Sequence, residues 1–167
     1  MTLNAGDARS LAERFPNFYL FVCNPQADRI IEDSSNIYRL KGIENLTEIS
    51  IALTKAFRGL KDPDITPKRA CLEIVSDVLL QHKAIQTRKW LTDIITEFKT
   101  KGFTTLAIIN PTMLPPEEVN AITDLFEGEI KIIERTREQK FLKIQKMFNK
   151  KYLEYEAPMR KPEAREV

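Results

Sequence analysis

Two short apolar runs on either side of a long amphipathic stretch constrain this chain more than any other feature. Arg69-Ala70-Cys71-Leu72-Glu73-Ile74-Val75 is apolar except at its first residue and at Glu73, and Phe103-Thr104-Thr105-Leu106-Ala107-Ile108-Ile109 is a second run of the same kind. The first, over about 70–75, reads as a strand covered on both faces, and the second reads as another strand. Between them a helical segment over 77–80 is followed by an interruption around His82. A longer helix over about 85–101 then carries Trp90, Leu91, Ile94, Ile95 and Phe98 at helical spacing and is stopped by Gly102. Strand, helix, strand in this order predicts an α/β fold built on parallel strands.

The flanking sequence extends the alternation. Asp7 begins a short predicted helix that Pro16 ends, before the strand-like run Phe18-Tyr19-Leu20-Phe21-Val22-Cys23. Asn24-Pro25-Gln26 turns the chain toward a helical segment over 27–33, and Asn36-Ile37-Tyr38-Arg39-Leu40 resembles a second strand, so a βαβ unit is the simplest account. From Asn45 onward Leu46, Ile49, Leu53, Ala56, Phe57 and Leu60 form one apolar helix face. Pro115-Pro116-Glu117-Glu118 is a proline-led, acidic helix start that suits the helix dipole. The end differs in kind: Glu129-Ile130-Lys131-Ile132-Ile133-Glu134 and the run over 140–147 predict an antiparallel hairpin on the edge of the parallel sheet.

With 167 residues, 43% apolar and 30% charged, the chain suits one soluble domain over 1–157. Residues 158–167 are rich in Pro, Glu, Arg and Lys and are expected to form a flexible charged tail. The net charge of +2 does not demand a nucleic-acid partner. Apolar stretches fall far short of the roughly 20 residues of a membrane span, so no membrane association is expected. Cys23 and Cys71 sit in apolar strand-like runs, where buried free thiols are expected, in keeping with a reducing cytoplasm. His82 is the single histidine and has no second His or Cys at ligand spacing, so no metal site is expected.

A phosphate-binding loop requires Gly, four residues, then Gly-Lys-Ser/Thr, so that backbone N–H groups and a lysine converge on the phosphates. The five glycines are Gly6, Gly42, Gly59, Gly102 and Gly128, and none precedes Lys-Ser or Lys-Thr. An ATPase of that kind acting alone is not expected.

In the order and spacing of these blocks, over 18–155, the chain resembles the RecA-like ATPases of the KaiC type, especially the KaiC-like proteins of archaea. The likeness is best over 69–111, where Arg69, three apolar residues, the acid Glu73 and Ser76 precede a helix and then Gly102-Phe103-Thr104-Thr105. It is also good over 125–151, which resembles the family's Asp-Gly hairpin and its closing Lys-Met-Arg-Gly segment. The resemblance implies a mostly parallel sheet of the phosphate-loop NTPase type, flanked by helices, with a C-terminal antiparallel hairpin.

Carried over residue by residue, the resemblance places Glu73 at the second Walker aspartate, which supports magnesium in the family, and Ser76 just after it. Lys146 matches the lysine that reaches toward a neighbouring subunit's nucleotide. Phe148 stands where the family has an arginine, and Cys23-Asn24-Pro25-Gln26 stands where it has catalytic glutamates. If 18–23 takes the place of the strand that leads to the phosphate loop, Asn24-Pro25-Gln26-Ala27-Asp28 is a decayed loop.

Each candidate also has a plainer reading. Glu73 reads more simply as a glutamate at a strand end, bonded to a lysine or a backbone N–H. Lys140, Lys143, Lys146, Lys150 and Lys151 with Phe141, Phe148, Tyr152 and Tyr155 could stack bases. Interleaved glutamates instead suggest a solvated edge that deters unwanted pairing. Trp90 reads as core.

The expectation is a degenerate KaiC/RecA-like domain that works as a protein-interaction or regulatory module, associating with itself or with a protein partner, with Lys140, Lys143, Lys146, Phe148, Lys150 and Lys151 as the candidate surface. One rival is the nucleotide-binding part of a composite ATPase, in which ATP and magnesium bind only with a partner chain. The other is a nucleic-acid-binding module using the basic hairpin.

Overall fold

A computed structural model describes residues 10, 14, 15, 17–26, 35–60, 67–136, 139–148 and 154–159. The fold is mixed α/β, and the chain packs as two compact units, Met1–Val119 and Asn120–Val167. The helices expected over 7–14 and 27–33 fall mainly or wholly outside the described residues.

In the first unit, β1 (Leu20–Cys23) and β2 (Ile37–Leu40) pair in parallel, with Leu20 opposite Ile37 and Cys23 opposite Leu40. Parallel pairing of consecutive strands requires a crossover between them, as the βαβ reading implied. Ile37 is buried, with Leu20 and Val22 packed against it, and the Phe21 and Tyr38 rings stack at 4.8 Å. Buried Asn36 donates from its side-chain amide to the Phe18 carbonyl at 2.9 Å, which ties the start of β2 to the chain entering β1.

Helix α1 (Leu46–Gly59) begins where Asn45 caps it, its side-chain oxygen accepting from the Glu48 N–H at 3.3 Å. Ile49, Ala52, Leu53 and Ala56 form its buried face, close to the stripe expected from the sequence.

Strand β3 (Lys68–Leu72) leads into α2 (Val75–Thr100) and then β4 (Phe103–Ala107), which pairs with β3 in parallel. Gly102 makes the helix-to-strand turn with φ at +76°, a conformation that glycine adopts without a Cβ penalty. Phe57 of α1, Phe98 of α2 and Phe103 of β4 form a ring cluster with centroids 5.3–5.6 Å apart. Trp90 is buried, as expected, along with Leu91, Ile94 and Phe98.

The interruption expected near His82 is present. Lys83 has φ 61° and ψ 168°, which divides α2 into two helical stretches. Two hydrogen bonds hold the break: Thr87 Oγ1 donates to the Val78 carbonyl at 3.3 Å, and His82 Nε2 donates to the Ile43 carbonyl at 2.7 Å. The Lys83 conformation belongs to a region nearly restricted to glycine and costs about 1–3 kcal/mol for other residues. Lys83→Gly is therefore expected to stabilise the protein by roughly 1 kcal/mol after the added chain entropy of glycine is subtracted. Urea denaturation should show a higher midpoint, and an unchanged or lower one would count against strain at this position.

Alternation along β3 corrects the expectation of a strand covered on both faces, and its partner β4 alternates in the same way. Ala70, Leu72, Phe103, Thr105 and Ala107 are half-buried, whereas Arg69, Cys71, Thr104 and Leu106 are exposed on the opposite face. Continuous apolar character concealed this alternation, because Cys71 and Leu106 are apolar residues on the open side. Among the described residues, the parallel strands hydrogen-bond as two separate pairs.

A 3-10 turn (Pro111–Met113) and α3 (Pro116–Thr123) follow β4. In the second unit, β5 (Gly128–Thr136) and β6 (Gln139–Met147) form the expected antiparallel hairpin. A third strand, β7 (Glu156–Pro158), adds to β6 and was not foreseen. The Met159 N–H donates to the Lys140 carbonyl at 2.8 Å, so pairing continues past Pro158, where the charged tail was expected to start. Residues 160–167 lie outside the described part of the chain.

Candidate functional site

In open parallel α/β sheets, ligands bind beyond the carboxyl ends of the strands. Glu73 stands there, immediately after β3, and it is exposed. β3 ends at Leu72 and does not run on through Glu73, so the acid stands at the strand end, as its plainer reading had it, and emerges into solvent.

Ser76 is buried within the first turn of α2, whose N-cap is Ile74 with no side-chain cap bond. It does not cap the helix. Its Oγ instead accepts from the Asn110 N–H at 2.8 Å. Asn110 Oδ1 in turn accepts from the Thr112 N–H at 3.2 Å and from Thr112 Oγ1 at 2.7 Å. This chain of bonds ties the start of α2 to the segment leaving β4, and the Ile108 N–H extends the β3–β4 ladder by donating to the Leu72 carbonyl at 3.0 Å. Asn110 and Thr112 were missed as members of this site. The signal was the Asn-Pro-Thr sequence after a strand, which favours a turn closed by the asparagine side chain.

Both cysteines are free thiols. Cys23 is half-buried, and burial first and the Glu48 charge second push its pKa up to about 11. Cys71 is exposed, which corrects the expectation that it is buried: it projects from the open face of β3. Partial desolvation and then the Glu73 charge also raise its pKa. Since the thiolate is the reactive form and access limits attack, iodoacetamide at pH 8 is expected to modify Cys71 well before Cys23. Peptide mass mapping over a time course checks this, and equal rates would contradict it.

The C-terminal lysines lie among acids. Lys140 Nζ is 3.8 Å from Glu134, and Lys143 Nζ is 3.8 Å from Glu156. Glu156 also receives Arg135 at 2.6 Å, while the Arg135 guanidinium lies 4.6 Å from the centre of the Phe141 ring. Lys146 stands opposite Glu129 in the ladder. Phe148 is 91% exposed, and Lys150 and Lys151 lie outside the described residues. Glu73 and Ser76 belong to the first unit, and Lys146 to the second.

Among the described residues, no cluster of three or more His, Cys, Asp or Glu side chains could hold a metal ion, and no helix is long and apolar enough to cross a membrane. No protein-family model matches the chain, and comparison with curated proteins gives no match.

Proposed function

We propose that this chain is a degenerate KaiC/RecA-like domain without ATPase activity of its own, serving as a protein-interaction or regulatory module. The observation that carries the reading is the open face of β3–β4. Parallel strands are almost always covered on both faces, yet here Leu106 is 54% exposed and Ile108 46%, alongside exposed Cys71. A protein surface laid over this face would complete a layer that the described residues leave open. In this reading β1–β2 and β3–β4 are parts of a mostly parallel RecA-like sheet, and the first unit and the hairpin unit together make one domain over 1–157 in a cytoplasmic protein.

The chemistry of the strand ends is in keeping with it. Ser76 is engaged by the Asn110 N–H, an occupation that serves the fold. The turn after β1 is Asn24-Pro25-Gln26, in which Asn24 Oδ1 accepts from the Gln26 N–H at 2.9 Å. A turn closed by its own side chain does not offer the converging backbone N–H groups of a phosphate cradle.

The composite-ATPase reading draws on one observation, the exposed carboxylate of Glu73 at the carboxyl end of a parallel strand. In that reading ATP and magnesium bind only when a partner chain supplies the phosphate loop. The nucleic-acid reading is less favoured, because Lys140 and Lys143 face Glu134 and Glu156.

Phosphate release from magnesium-ATP is expected to equal the protein-free blank. Saturable hydrolysis by the purified chain, lost in Glu73→Gln, would overturn the proposal.

A further inference from the structure

Among the described residues, strand β5 is an edge of the sheet β5–β6–β7, and the direction of its outward backbone groups can be derived. The Ile144 N–H donates to the Tyr155 carbonyl and the Ile144 carbonyl accepts from the Glu154 N–H, so Ile144 faces β7. The Lys140 carbonyl faces the same way, accepting from Met159. Successive residues of a strand point their backbone groups to opposite sides. Phe141 and Lys143 therefore face β5, where their partners are Ile133 and Lys131. The backbone groups of Ile130, Ile132 and Glu134 are thus left pointing away from β6, along the open edge.

The side chains on that edge are apolar where they are most exposed: Ile130 is 49% and Ile132 63% accessible. A long edge with exposed aliphatic side chains is a template for another strand. Resting on the reading of this chain as an interaction module, we infer that a second copy of the chain occupies this edge, with β5 pairing antiparallel to β5 about a two-fold axis at Ile132.

Charge selects that register. Outward groups must meet outward groups, so the axis passes through a residue and not between two. Centred on Lys131, the pairing would set Lys131 against its own copy. Centred on Ile133, it would set Lys131 against Arg135. Centred on Glu134, it would set two glutamates together. Centring on Ile130 gives up much of the strand's overlap. Ile132 is the midpoint of Gly128–Thr136, and only there do the full strands overlap while Glu129 of each copy stands beside Arg135 of the other. The Ile132 side chains then meet on one face, flanked by Ile130. The register with β6 is irregular between Glu129 and Ile130 and between Glu134 and Thr136, so regular backbone pairing across the axis runs over Ile130–Glu134, and Glu129 and Arg135 meet as side chains just beyond it. Arg135 already contacts Glu156, but a guanidinium has five N–H donors and can serve a second carboxylate. An isologous contact of this kind closes on itself as a dimer.

Sedimentation equilibrium of the full chain over a wide concentration range tests the inference. The wild-type mass should rise with concentration from the monomer's 19.3 kDa toward twice that value. Glu129→Arg alone and Arg135→Glu alone should each weaken association about tenfold or more, by placing like charges together. An equimolar mixture of the two variants should restore it, because each like-charged edge then meets its complement. Ile132→Pro should remain monomeric with an unchanged far-UV spectrum, since the N–H that it removes points away from β6. A wild-type chain that stays monomeric, variants that all dimerise normally, or a mixture that fails to recover would each overturn the inference. Those outcomes leave the functional reading standing, whereas magnesium-dependent nucleotide binding by an intact dimer would remove that reading and leave this contact.

Discussion

Leu91→Ala is expected to lower the unfolding free energy by about 3 kcal/mol, within the range of 2–5 kcal/mol for truncating buried leucines. Leu91 is fully buried in the longer stretch of α2, on the side of the helix that also buries Trp90, Ile94 and Phe98. Leucine and alanine have similar helix propensities, so the loss measures packing and not helix formation. Ile85, on the same helix, is 86% exposed, and Ile85→Ala should change stability by no more than about 0.5 kcal/mol. Urea denaturation of both variants checks the contrast. Equal effects would mean that the buried face of α2 has been assigned to the wrong residues.

Ser76→Ala is expected to destabilise by roughly 0.5–1.5 kcal/mol, because it removes the buried acceptor of the Asn110 N–H and leaves that exposed residue's N–H to water. The same variant separates a structural serine from one that helps to hold magnesium. If Ser76 serves only to join α2 to the segment after β4, its loss shifts the denaturation midpoint and leaves the response to magnesium-ATP identical to that of the wild type. A variant of unchanged stability whose nucleotide response alone is altered would assign Ser76 to a ligand.

Much of the fold was legible in the sequence where periodicity and punctuation agree. The apolar spacing from Leu46 to Phe57, the stop at Gly102 and the mixed-polarity hairpin each correspond to an element of the structure. The interruption of α2 also lies beside His82, where the apolar spacing breaks. Burial was less legible. Cys71 and Leu106 look like core residues in a one-dimensional run, and only the period-2 alternation of paired strands puts them on an open face.

The site was legible in part. Glu73 emerges at the end of β3, but the partner of Ser76 is a backbone N–H more than thirty positions away, and no local spacing encodes such a contact. Strand β7 is equally hidden, since Glu156–Pro158 is a strand only because β6 offers it a free edge. In the hairpin, the alternation of lysine and glutamate suggested a solvated face; Lys140 and Glu134 are exposed there, whereas Lys143 and Glu156 are half-buried. An exposed pair such as Lys140–Glu134 contributes little to stability, typically about 0–1 kcal/mol, so the weight of these pairs is in limiting what the lysines can bind.

The central claim, that this chain binds no nucleotide by itself, is tested most directly by isothermal titration of the purified protein with magnesium-ATP and magnesium-ADP beside a control without magnesium. The account predicts no heat beyond dilution and no thermal shift. Saturable micromolar binding that requires magnesium and disappears in Glu73→Gln would contradict it.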